Sequence, residues 1–220
     1  MNGTGPQNRE MTVRPDGNAM ATPTDSQSDE KALLVVLAGA PGAGKATFYE
    51  SRLKSIFPLV LKSTSSPLEQ GETDDERRRI QKEAHSFVYQ DLTVDLKLID
   101  GVRKAGYEVS VIYLGTEDPS LNIGRILVRV GQGGPFAALG RITEDFARGT
   151  KQLPHLRSLA NELMLFDNTT HGRGARLVAH FHEGDLVKLA RTVPRWVQRV
   201  FAKDFGRWRS SQKAHPGKGR

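Results

Sequence analysis

The seven residues 39-GAPGAGK-45 match the G-x-x-x-x-G-K pattern of a phosphate-binding loop. They follow the apolar run 33-LLVVLA-38 and precede a predicted helix, which is the context that the pattern requires. Glycines let backbone N–H groups turn towards an anion, the helix N-terminus adds positive potential, and the lysine reaches the outer phosphates. The alternative, a tight turn with a surface lysine, is weaker because spacing and context agree. The predicted nucleotide-binding residues are Gly39, Ala40, Pro41, Gly42, Ala43, Gly44, Lys45, Ala46 and Thr47.

The residue after the lysine departs from the pattern. A Ser or Thr hydroxyl normally binds Mg²⁺ there, and the methyl group of Ala46 cannot. Thr47 projects about 100° further round the helix, so it is not a simple replacement. We therefore expect nucleotide binding to survive better than phosphoryl transfer, with any Mg²⁺ held through waters and carboxylates elsewhere. The pattern does not identify those metal ligands.

Composition divides the 220-residue chain into three parts. Residues 1–30 are polar and have almost no aliphatic pattern, so we expect a disordered segment. Residues 31–208 form one predicted globular domain, and residues 209–220 a basic flexible tail. The net charge is +7, and the segment 195–220 alone holds eight Lys or Arg against one Asp. The basic character therefore belongs to the C-terminal segment and not to the body of the domain.

Apolar strands alternate with helical segments between these ends. The predicted strands are Leu33 to Ala38, Leu59 to Leu61, Ser86 to Tyr89, Glu108 to Leu114, Leu163 to Phe166 and Arg176 to His180. The predicted helices are Lys45 to Ile56, Asp74 to Ala84, Asp95 to Lys104, Pro119 to Val130, Ile142 to Lys151 and Pro194 to Phe205. This order predicts an α/β, P-loop-type three-layer fold with a mostly parallel sheet and helices on both faces.

The sequence also indicates the cellular compartment. The chain has no run of roughly 18 apolar residues that could span a membrane, and no signal-peptide pattern at its N-terminus. It contains no cysteine, which excludes disulfides and thiolate ligands or nucleophiles. We expect a cytoplasmic protein.

Four stretches resemble the zeta-toxin family of P-loop kinases: 37-LAGAPGAGKATFYE-50, 107-YEVSVIYLGTEDPSLNIGRILVRVGQGG-134, 152-QLPHL-156 and 165-LFDN-168. The likeness covers about residues 33–182. It implies a kinase that uses ATP or GTP with Mg²⁺ to phosphorylate a sugar hydroxyl of a nucleotide sugar, which is UDP-N-acetylglucosamine in characterised members. It also implies a small helical antitoxin as partner.

The chain departs from that family in three places. Ala46 replaces the usual Ser, and Pro135 stands where relatives tend to carry His. No Asp occurs at the expected place in 58-PLVLKSTSSPLEQGETDD-75, where the family has an aspartate that accepts the substrate proton. Ser63 and Thr64 are nearest, and neither is a general base at neutral pH. The acids that could replace it if the loop folds back are Glu69, Asp74 and Asp75.

Arginines are the expected partners of the transferring phosphoryl group, whose charge spreads over its oxygens. Arg125 and Arg129 share one helical face, and the family pattern favours Arg141 and Arg148 as catalytic residues. Each of them could equally be a solvated surface arginine. Asp91 follows a strand at the edge where α/β sheets gather ligands, and it is the leading acid for metal or substrate. An ordinary turn aspartate is as plausible there.

Other charged clusters have simpler explanations. The run 77-RRR-79 follows acids at a helix start, which local pairing and the helix dipole favour without any function. The histidines form no metal spacing, and 180-HFH-182 is typical of a strand surface. The segment 195-RWVQRVFAKDFGRWR-209 could bind nucleic acid or an anionic membrane, but Trp196, Val200 and Phe201 recur at helical spacing and favour docking on the domain. A nucleotide-binding but non-catalytic relative, acting through a partner, is the second hypothesis.

Overall fold

The computed structural model describes residues 31–62, 67–91, 94–134 and 138–214. The expected disordered segment 1–30 and the end of the predicted tail, 215–220, lie outside the described residues. The elements in chain order are β1 (Leu33–Ala38), α1 (Lys45–Phe48, continuing as a π-helical turn over Tyr49–Leu53), β2 (Val60–Lys62), α2 (Pro67–Lys82), β3 (Phe87–Gln90), α3 (Leu96–Lys104), β4 (Glu108–Gly115), α4 (Pro119–Gly131), α5 (Leu139–Leu159), β5 (Glu162–Asp167), β6 (Arg176–His182), β7 (Asp185–Leu189) and α6 (Arg195–Ala214).

The strands form one sheet in the order β2-β3-β1-β4-β5-β6-β7. The first five strands in this order, β2, β3, β1, β4 and β5, are parallel, and β6 and β7 are antiparallel to their neighbours. β1 lies centrally between β3 and β4, so its carboxyl end opens at the point where the strand order reverses. The predicted mostly parallel sheet is confirmed.

Apolar residues of β1 point alternately to the two faces of the sheet. Leu34, Val36 and Ala38 belong to the core that also contains α3, α5 and α6, whereas Val35 and Leu37 pack with Phe48 of α1. A strand covered on both faces needs such a continuous apolar sequence. The predicted three-layer architecture is therefore confirmed.

β7 was missed in the sequence. Its residues, 185-DLVKL-189, are exposed or half-buried at the sheet edge, so the strand has no strong apolar pattern. The two residues before it, Glu183 and Gly184, both have positive φ, at 46° and 83°, and make a tight hairpin turn from β6. That Glu-Gly pair is the signal from which the strand could have been predicted.

Three helices extend beyond their predicted limits. α2 begins at Pro67 instead of Asp74, and α5 runs to Leu159 instead of Lys151, because its last turns bury further leucines against the core. α6 continues to Ala214, past the predicted start of the flexible tail at residue 209. Ser210 and Ser211 donate to the carbonyls of Gly206 and Trp208, at 3.0 and 2.8 Å, so these polar side chains bond back to the helix.

The C-terminal helix α6 is part of the core. Trp196, Val197, Phe201 and Phe205 are buried, and the helix is interrupted only at Phe201, whose backbone has φ −119° and ψ 25°. Docking of this helix, the simpler reading of its aromatic spacing, is confirmed. Within the described part of the chain, no helix is long and apolar enough to cross a membrane.

Candidate active site

The glycine loop between β1 and α1 lies at the carboxyl edge of the sheet. Gly42 has φ 77°, and a Cβ at this position would lie 2.5 Å from the carbonyl oxygen of Asn122 in α4. Gly44, at the helix N-terminus, has φ 99°. Both positions thus need glycine, one because the backbone of α4 approaches closely and both because of their positive φ. The loop is consequently held in one shape by its neighbours.

Two side chains from distant parts of the chain support this loop. The Asn168 amide, just after β5, donates from Nδ2 to the Ala43 carbonyl at 2.8 Å. Arg125 of α4 donates from Nη2 to the Asn168 carbonyl at 2.7 Å, and its Nη1 lies 3.5 Å from the Gly42 carbonyl. Arg125 is therefore adjacent to the loop, but its donors are used to brace it. Arg129 is exposed on the same helix.

The Lys45 ammonium lies inside the loop. Its Nζ donates to the carbonyls of Gly39, at 2.5 Å, and Ala40, at 3.3 Å. Burial lowers the pKa of Lys45 to about 8, although the carboxylates of Asp91 and Asp145 favour the charged form. The loop thus contains a desolvated cation with two acids near it.

The first turn of α1 exposes the two residues that follow the lysine. Ala46 and Thr47 are both exposed. The Ala46 methyl has no polar atom to offer a cation, whereas the Thr47 hydroxyl is accessible beside Gly44 and Asn168. Thr47 therefore supplies the accessible hydroxyl in the first turn of α1.

Asp91 lies at the boundary between the loop and a large cavity. Its backbone N–H donates to the Leu37 carbonyl at 3.1 Å, which extends the β1–β3 pairing by one residue. The cavity has a volume of about 750 Å³ and lies between α2 and α3. Polar residues that line it are Asp74, Arg77, Gln81, Tyr89, Asp91, Asp95 and Lys97. Because Asp91 lines the cavity and is bonded to Leu37, two residues before the loop, the cavity and the loop are adjoining spaces.

The three arginines 77-RRR-79 differ in their surroundings. Arg78 and Arg79 are exposed and pair with Asp75, at 2.7 Å, and Glu76, at 2.6 Å, so the prediction of local pairing is confirmed for them. Arg77 also pairs locally, with Asp74 at 3.5 Å, but it is only 18% exposed, donates to Gln81 at 3.2 Å and faces the cavity. Its buried Nε has no hydrogen-bond partner among the described residues. Its position in the lining of a cavity was not predicted from the sequence.

The structure separates the acids considered as replacements for the missing aspartate. Asp74 lines the cavity, whereas Asp75 is exposed in its pair with Arg78. Ser63, Thr64 and Pro135 lie outside the described residues, as does the side chain of Glu69.

The two arginines favoured by the family pattern lie on α5. Arg141 is exposed in the first turn and has no ion-pair or hydrogen-bond partner among the described residues. Arg148 bonds through Nη2 to Oδ1 of Asp145, a residue that is only 1% exposed. Asp145 was missed in the sequence, although an acid on the buried stripe of α5 was a usable signal. The other members of that stripe are Ile142, Gly149, Leu153 and Leu156.

The histidines of 180-HFH-182 are explained by a local contact. His182 Nδ1 lies 2.6 Å from Glu162 Oε1, and His180 contacts the other oxygen of the same carboxylate. This carboxylate raises the pKa of His182. Across the described ranges, no group of three or more His, Cys, Asp or Glu residues could hold a metal ion.

Comparison with known proteins shows the fold. No protein-family model matches the sequence, and no curated protein does. A chain of the AvrRxo1-ORF1:AvrRxo1-ORF2 complex crystallised with ATP matches with a TM-score of 0.56 and 12% identity, over 77% of this chain and 63% of that one. A chain of the PezAT toxin–antitoxin system of Streptococcus pneumoniae matches with a TM-score of 0.50 and 16% identity, over 87% and 88%. The protein therefore shares the three-layer α/β fold of these two chains, and it spans 63% of the AvrRxo1 chain.

Proposed function

We propose that the protein is a zeta-toxin-like kinase that transfers the γ-phosphate of ATP or GTP to a sugar hydroxyl of a nucleotide sugar such as UDP-N-acetylglucosamine. The observation that carries this proposal is the Lys45 ammonium, held within a glycine loop beside a 750 Å³ cavity. The resemblance of the sequence to the zeta toxins supports the reaction, and an ATP complex among the proteins of the same fold supports the nucleotide.

The residues of the loop would act on the nucleotide. Backbone N–H groups from Gly42 to Thr47 and the Lys45 ammonium would neutralise the phosphate charge, which is most of what phosphoryl transfer requires from a protein. Arg148 and Arg141 would add positive charge on the transferring group. Their helix, α5, brings Asp145 into electrostatic range of Lys45, which supports this role.

Mg²⁺ suits the donors near the loop. Mg²⁺ prefers oxygen ligands and is commonly held by one or two carboxylates together with phosphates and waters. Asp91 follows β3 and is bonded through its backbone to Leu37, two residues before the loop, so it is the residue that would hold the ion on this side. When bound, the ion would supply positive charge to the phosphate oxygens.

The cavity between α2 and α3 is the proposed acceptor site. Its volume lies within the range of roughly 300–1,000 Å³ that is typical of small-molecule sites. The cavity carries two cations, Lys97 and Arg77, the latter paired with Asp74 at 3.5 Å, so it offers donors to the phosphates of a nucleotide sugar. Its acids Asp91 and Asp95 offer acceptors to the hydroxyls of the sugar. An acceptor bound here would place its hydroxyl towards the transferring phosphate.

Mass spectrometry of UDP-sugars after incubation with MgATP tests this function. We expect a product heavier by one phosphate with wild-type protein, and no such product with Lys45→Ala. Absence of any phosphorylated sugar, with ATP binding intact, would favour the non-catalytic reading instead.

Nucleotide affinity is expected to fall at alkaline pH. Because burial holds the pKa of Lys45 at about 8, its ammonium is present below this pH and is lost as the pH rises through it. ATP affinity measured by calorimetry should be constant near neutrality and decrease by about tenfold per unit above pH 8. Arg at this position keeps its charge, so Lys45→Arg should remove the decline. An affinity of the wild type that does not change up to pH 9.5 would contradict the expectation.

A non-catalytic nucleotide binder is the second candidate, because Ala46 removes a metal ligand and no aspartate occupies the usual place. If the missing hydroxyl limits catalysis, Ala46→Ser should raise turnover by about tenfold and lower the Mg²⁺ concentration required. Ala202→Ser, an exposed change on α6, serves as the control. Unchanged turnover and Mg²⁺ dependence in Ala46→Ser would show that the hydroxyl does not matter here.

A protein partner is also proposed, since PezAT is described as a toxin–antitoxin system and AvrRxo1-ORF1 forms a complex with ORF2. For this chain the partner would be a small helical antitoxin. Expression in bacteria should arrest growth, Lys45→Ala should relieve the arrest, and a cognate antitoxin should do the same. Equal toxicity of wild type and Lys45→Ala would contradict the kinase mechanism.

A further inference from the structure

Asp145 lies on the part of α5 that is nearest the carboxyl edge of the sheet, the edge at which the glycine loop begins. Four residues later, Gly149 packs against Tyr113, since a Cβ on Gly149 would lie 2.7 Å from the Tyr113 hydroxyl. Tyr113 is the register partner of Ala38, the last residue of β1 before the loop. α5 ends at Leu159, just before β5 starts at the opposite edge of the sheet, so its earlier residues lie towards the carboxyl edge. Gly149 therefore lies near the level of Ala38, and Asp145 lies about one helical turn closer to the carboxyl edge, where the loop follows Ala38.

The Asp145 carboxylate has one satisfied oxygen and one unsatisfied oxygen. Oδ1 accepts from Arg148, whereas Oδ2 is buried and has no hydrogen-bond partner among the described residues. Leaving a buried carboxylate oxygen unpaired is costly, and a cation beside it relieves that cost. The charge of Asp145 also favours the protonated form of Lys45, which agrees with its position beside the loop.

We propose that Asp145 supplies, through Oδ2, a carboxylate that holds the Mg²⁺ accompanying the nucleotide, and so replaces the hydroxyl missing at Ala46. The proposal rests on the proposed function, because the ion arrives with the nucleotide. A single carboxylate is enough for this role, since Mg²⁺ keeps several waters and takes its other ligands from the phosphates. Arg148 holds the other carboxylate oxygen and fixes the orientation of the group.

The test compares ATP affinity in Mg²⁺ with ATP affinity in EDTA, by calorimetry, for wild type and Asp145→Asn. Asparagine keeps the shape and the acceptor for Arg148 but loses the charge. We expect the Mg²⁺ enhancement of affinity to fall by about tenfold or more in this variant. In EDTA the variant should bind ATP as tightly as wild type or more tightly, because a negative charge near the phosphates has gone. A defect in folding would weaken binding in both buffers and would not change the ratio.

Two further variants sharpen the result. Glu144→Gln removes the same charge from the adjacent, exposed position of α5 and should retain the wild-type Mg²⁺ enhancement. Asp145→Glu keeps a carboxylate and should retain part of it. Electron paramagnetic resonance with Mn²⁺ in place of Mg²⁺ should show less bound ion for Asp145→Asn in the presence of ATP.

The inference is overturned if Asp145→Asn keeps the full Mg²⁺ enhancement, or if Glu144→Gln loses as much. A wild type that binds ATP equally with and without Mg²⁺ also overturns it. In these cases nucleotide binding stays intact, so the proposed function is unaffected. Failure of the wild type to bind ATP in either buffer would instead refute the proposed function.

Discussion

Lys45→Ala is expected to lower phosphate transfer by at least about 100-fold, because removal of one preorganised donor to a developing charge typically costs a factor of 10² to 10³. The ammonium belongs to the glycine loop itself and lies inside it, where Nζ is 2.5 Å from the Gly39 carbonyl. The measurement is the rate of phosphorylated product formed from MgATP, with ATP affinity determined in parallel.

Lys54→Ala is the matched control for this change. Lys54 follows in the next turns of the same segment but is exposed, and it pairs with Glu50 at 2.7 Å. Its removal should leave both turnover and ATP affinity near the wild-type values, as exposed ion pairs contribute little. If Lys45→Ala keeps at least half of the wild-type rate while Lys54→Ala does the same, the loop does not perform the chemistry proposed for it.

Sequence predicted the parts of the molecule that depend on neighbouring residues. The start of α4 is an example, because Asp118 accepts from Ser120 N at 2.7 Å and Pro119 occupies the first helical position. The end of α3 is a second example, because Gly106 follows it with φ 92°, the left-handed conformation that commonly ends a helix. The glycine loop belongs to this class, because its spacing, the strand before it and the helix after it all lie within a short stretch of the chain.

The rest of the site depends on contacts between distant residues. Asp145 is separated from Lys45 by about half the chain, and nothing near it in the sequence names the loop as its neighbour. Arg125 appeared as a candidate for phosphate, yet it bonds the Asn168 carbonyl, a contact that only the β4–β5 pairing creates. Arg77 resembled its two neighbours in the sequence, and only the position of α2 across the cavity from α3 shows that it lines this space. Side-chain roles of this kind require the tertiary structure.

Trp196→Ala is expected to destabilise the protein by about 3–5 kcal/mol, the usual cost of truncating a large buried aromatic residue. Trp196 is 3% exposed, and its ring fills the space above Gly115, where a Cβ would meet it at 2.5 Å. Its Nε1 donates to Asp167 at 3.2 Å, and the next residue, Asn168, bonds the glycine loop. Loss of this side chain should therefore lower the midpoint of urea unfolding and also weaken ATP binding.

Trp208→Ala is the control, because it removes the same side chain from the same helix at a half-buried position. Its cost should be smaller, about 1 kcal/mol, since no large cavity forms. Equal midpoints for wild type and Trp196→Ala would show that α6 is not docked in solution. The basic face of the helix would then be available as a separate module, and the nucleic-acid reading of this segment would regain its basis. Trp196→Ala should cost more stability than Trp208→Ala for one physical reason. Removal of a buried ring leaves a cavity, whereas a half-exposed ring is replaced largely by water.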